Sequence, residues 1–75
     1  MTLMASEGDR AAWALSYLRG SADGYWRGTV SMRRVVGAVR LALRHGAPTD
    51  DIRRDLREQR LDWSELRRLI AEFEQ

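Results

Sequence analysis

At 75 residues the chain has room for one domain, near the lower size limit for a core that holds without staples. It contains no cysteine and a single histidine, which excludes disulfides, cysteine nucleophiles, and thiolate or histidine-cluster metal sites. Hydrophobic residues make up 44% and charged residues 32%, the balance of a folded globular chain, and the net charge is only +2.

No apolar run approaches the ~20 residues of a membrane span. Met1 to Ala5 lacks the basic region, apolar stretch and cleavage site of a secretory leader. The expectation is a cytoplasmic protein with no membrane partner.

The first helix is predicted over about residues 7–19. Ser6 followed by Asp9 resembles a capping box, and Gly20 is a natural stop. Ala11, Trp13, Ala14, Leu15, Tyr17 and Leu18 cover roughly half its circumference at ~100° per residue. That arc is wider than an ordinary surface stripe; either the helix packs on two sides or part of the arc meets a partner, and ordinary burial is the expectation. From Gly20 to Gly28 the turn residues predict a loop carrying Tyr25, Trp26 and Arg27. In that loop Trp26 is expected to fold back as a lid on the core, and Tyr25, with its polar end, to be the more exposed.

A second helix follows over about 30–45, capped by Thr29 or Ser31 and ended by Gly46 with Pro48 beyond. Met32, Val35, Val36, Val39, Ala42 and Leu43 form one apolar face, which makes this the central core helix. The third helix, about 50–59, is capped by Thr49 or Asp50 and anchored by Ile52 and Leu56. The fourth, about 63–74, starts from an Asp62/Glu65 capping pattern and buries Trp63, Leu66, Leu69, Ile70 and Phe73, with Glu74 in a solvated tail. No period-2 run suggests a strand. The fold expected is an all-α, three- to four-helix bundle in a single domain spanning residues 1–75.

The modest net charge hides an imbalance. Between Asp23 and Asp50 lie five arginines and no acid, whereas the rest of the chain holds eight arginines against eleven acids. Arg33, Gly37, Arg40 and Arg44 fall within a ~60° sector of the second helix, with Arg34 ~100° to the side. This stripe is about 16 Å long at ~1.5 Å per residue, comparable with a major groove ~12 Å wide. Cations near a helix C-terminus suit its dipole, which accounts for Arg44 and His45. Arg33 and Arg34 sit in the first turns, where the dipole argues against them. Gly37 permits the close approach either of a phosphate backbone or of a neighbouring helix.

Other arginines have local acids. Arg54 lies four residues from Asp50 and from Glu58, and Arg68 lies three from Glu65 and four from Glu72. The third and fourth helices also permit a helix-turn-helix reading, with Ser64, Arg67 and Arg68 outward, although Gln59 and the lack of a turn glycine fit it poorly. No nucleophile elbow, P-loop, GxGxxG or EF-hand spacing is present.

The expected function is therefore that of a non-enzymatic binding protein with no cofactor and no metal. Its leading form is a nucleic-acid-binding or regulatory protein using Arg33, Arg34, Arg40 and Arg44, assisted by Arg27 and Tyr25. The alternative is a protein-binding inhibitor, adaptor or subunit of the mobile-element type that docks an acidic protein surface. Homodimerisation through the first helix is a third reading.

Overall fold

Four helices follow one another in a computed structural model that describes residues 7–73: α1 (Glu7–Arg27), α2 (Met32–Arg44), α3 (Thr49–Glu58) and α4 (Trp63–Phe73). Helix α2 is the hub, touching each of the other three, and α1 lies along both α2 and α3. The result is a small all-α bundle. The Ser6 cap, the Met1–Ala5 segment, the Phe73 side chain and the Glu74 tail lie outside the described residues.

The largest departure from expectation is α1, which does not stop at Gly20 but continues two turns to Arg27. Each interior glycine costs a helix up to ~1 kcal/mol, so packing must offset it. Ala14, Leu18, Ser21 and Ala22 form one buried stripe at helical spacing, and Tyr25 packs against the core one turn on. These are mostly small residues, and they let α1 lie close against the hub helix. Asp23 and Arg27, four apart, add an ion pair at 3.0 Å. The segment read as a loop is therefore helix.

In α2 the apolar periodicity is realised as a core of Val35, Val36, Ala38, Val39 and Ala42, all buried. Leu43, assigned to that face, stands at its edge and is 41% exposed. Ser31 caps the helix in an extended conformation, its side chain accepting a hydrogen bond from the Arg34 N–H. Pro48, rather than Thr49 or Asp50, occupies the cap position of α3 and makes no side-chain cap bond. Its carbonyl receives the Asp51 and Ile52 N–H groups. Asp50 and Asp51 in the first turn still complement the helix dipole. At α4 the Asp62 carboxylate accepts the Ser64 N–H at 3.0 Å.

Ile52 and Leu56 of α3 and Leu66 and Ile70 of α4 complete the core. One buried charged group joins it. Asp55 is 3% exposed and accepts a hydrogen bond from Arg19 at 3.2 Å, linking α1 to α3. Arg54 approaches the same carboxylate at 3.9 Å and pairs with Asp51 at 3.2 Å, not with Asp50 or Glu58.

Helices α1, α2 and α3 end in the same way. The Gly28 N–H bonds the Tyr25 carbonyl and the Thr29 N–H bonds the Gly24 carbonyl. Gly46 to Leu43 and Ala47 to Ala42 repeat the pattern, as do Arg60 to Arg57 and Leu61 to Leu56. This double bond pattern is the Schellman cap, which needs a left-handed residue just past the helix.

Candidate functional site

The residues buried in α2 fill one side of the helix, and the arginines stand on the other. Arg33, Gly37 and Arg44 are exposed along that outer side and Arg40 is half-buried at its edge. Arg34, on the neighbouring ridge, is exposed as well. A Cβ placed on Gly37 would meet nothing within 4 Å, so no neighbouring helix uses the gap. Of the two roles open to Gly37 in the sequence, close helix packing is ruled out. Among the described residues, the space over Gly37 stays open.

Two shallow grooves run along this surface. The first is lined by Gly37, Arg40, Leu41 and Arg44, and the second by Arg10, Arg44, His45 and Gly46. Arg44 lines both, so the two grooves adjoin at that residue, and together they are termed the basic channel. Arg10 is a member that sequence reasoning missed. It lies in the first turns of α1, and only the return of the chain as α2 after a short connection brings it beside Arg44. No periodicity within one helix could have signalled it.

Within this set the charges differ in standing. Arg33 and Arg40 take part in interactions of their own. Arg44 lies in the last turn of α2, where a cation is favourable, whereas Arg33 and Arg34 sit in a first turn that itself holds no acidic residue.

Two candidates do not join the channel. Arg27 is committed to Asp23 on its own helix. Tyr25 is half-buried against the core, edge-on to Trp26 with ring centroids 5.2 Å apart, so its ring is not presented as a stacking platform. The expected ranking of these two aromatics is reversed. Trp26 is 56% exposed, and its indole N–H donates to the Gln59 carbonyl, tying the end of α1 to the end of α3. Because the loop is helix, Tyr25 follows the buried stripe and Trp26 turns outward.

The wide arc of α1 is not wholly buried either. Trp13 is 57% and Tyr17 38% exposed, and their rings stack with centroids 5.7 Å apart and planes 6° from parallel. Ala14 and Leu18, each one position on and about 100° round the helix, fill the core.

On the second hairpin Ser64, Arg67 and Arg68 are exposed, as an outward face requires. The Arg53 guanidinium lies over the Trp63 ring at 5.7 Å, bracing α3 against α4. Among the described residues no group of three His, Cys, Asp or Glu side chains could hold a metal, and no helix is long and apolar enough to cross a membrane. Compared with known proteins, the chain matches no family model, no curated protein and no solved structure.

Proposed function

We propose that this chain is a small non-enzymatic nucleic-acid-binding or regulatory protein that meets the phosphate backbone with the outer face of α2. One observation carries the reading: the face bearing Arg33, Arg34, Gly37 and Arg44 is exposed, and none of the other helices covers it. Guanidinium groups suit bidentate contacts to phosphate oxygens. Such contacts give affinity and position on the strand, and carry little sequence information.

The test is the salt dependence of binding to duplex DNA. With about four phosphates neutralised, log K falls against log[salt] with a slope near −3.6. Replacing Arg34 and Arg44 by alanine flattens the slope by about one for each arginine removed. Binding indifferent to salt, or unchanged in that double variant, overturns the proposal.

The exposed Trp13–Tyr17 pair favours a second reading, in which the same basic face docks an acidic protein. A stoichiometric protein complex that resists nuclease, in a chain with no affinity for nucleic acid, would select it.

A further inference from the structure

Arg10 links the aromatic pair to the basic grooves. At ~100° per residue, Arg10, Trp13 and Tyr17 fall within a ~60° sector of α1. Arg10 closes the groove with Arg44 and His45, so the ridge of α1 that carries the stacked rings meets that groove at Arg10. Asp9, an acid beside this ridge, is already engaged in an interaction. One turn beyond Tyr17, Gly20 is exposed, and a Cβ there would meet nothing within 4 Å, which leaves the flank of the rings clear.

An open aromatic face beside a basic groove is the arrangement that grips an unpaired strand. The groove follows the backbone, and bases stack on the rings whatever their identity. A duplex offers its phosphates but keeps its bases paired and stacked internally, so it could use the arginines and not the rings. We infer that the preferred ligand is a single-stranded polynucleotide, its phosphates held by Arg44 and Arg10 and its bases stacked on Trp13 and Tyr17. This rests on the nucleic-acid reading above and names the form of nucleic acid.

The experiment compares labelled oligothymidylate and oligouridylate of about 12 nucleotides, within the span one small domain covers, with a duplex of equal length. Fluorescence anisotropy at fixed salt gives the affinities. Both single strands are expected to bind more tightly than the duplex, and Trp13→Ala to weaken them about tenfold while leaving duplex affinity nearly unchanged. Trp26→Ala is the control: it removes a tryptophan of similar exposure from the other side of α1. It should leave single-strand affinity unchanged. Circular dichroism of each variant verifies folding, and Tyr17→Ala provides a second probe of the stack. Equal affinity for duplex and single strand, or tight single-strand binding by folded Trp13→Ala and Tyr17→Ala, overturns this inference and leaves the phosphate-docking reading standing. Absence of binding to every probe overturns both.

Discussion

Arg60 adopts φ 60° in the cap of α3, the place that Gly28 and Gly46 take with φ 82° and 79° after α1 and α2. An L-residue in the left-handed region pays roughly 1–2 kcal/mol that glycine avoids. The Arg60 side chain is exposed, and the role of the residue in the cap rests on its backbone N–H, which glycine keeps. Arg60→Gly should therefore stabilise the fold by about 1 kcal/mol, measured as a higher urea midpoint with an unchanged slope. A fall in stability would show that the arginine side chain contributes more than the strain costs. The absent turn glycine that counted against a helix-turn-helix is thus a position where arginine stands in for glycine.

Within α1 the two interior glycines have opposite meanings. Around Gly20 there is open space, whereas a Cβ on Gly24 would lie 2.5 Å from Val30 Cγ2 and 3.2 Å from Thr29 Oγ1. Gly24 also supplies the carbonyl that receives both Thr29 donors and the Val30 N–H, so the chain folds tightly over it on the way to α2. Val30 is β-branched and cannot swing its methyl aside freely. Gly20→Ala should raise stability by about 0.5–1 kcal/mol. Gly24→Ala should lower it, because overpacking costs of about 1–3 kcal/mol outweigh the gain in helix propensity. Thermal melts of the two variants that shift in the same direction would refute this account. The glycine-rich composition of the segment pointed to a loop because local rules treat both glycines alike. Their different surroundings belong to the packing of α1 on its neighbours.

Taken whole, the molecule depends on few large side chains. Leu18, Ile52, Leu56 and Leu66 are the largest that are fully buried, and two of the three tryptophans stand mostly in solvent. A core of this size rarely supplies more than ~3–5 kcal/mol of net stability. Leu56→Ala, at the junction of the core and the α3 cap, should cost about 2–5 kcal/mol and abolish cooperative unfolding at room temperature. A sharp urea transition retained in that variant would show that the stability lies elsewhere. Read from the sequence, Trp13 and Trp26 belong against the core as well as Trp63, and of the three only Trp63 packs there. The bundle is closed instead by alanines and valines in close contact, which frees Trp13 for the surface.

What could be read along the chain were features set by neighbours within a turn or two. These include the four-helix count, the valine face of α2, the glycine stop at Gly46, and the arginine stripe opposite that face. Each follows from helical period or from the backbone freedom of a residue type, which act locally. The length of α1, the burial of Asp55 beneath Arg19, the openness of Gly37 and the entry of Arg10 into the basic channel depend on residues far apart in sequence. Arg19 and Asp55 are separated by 36 positions. Burial and proximity are properties of how helices pack, and a pattern along one helix does not say which neighbour will cover it.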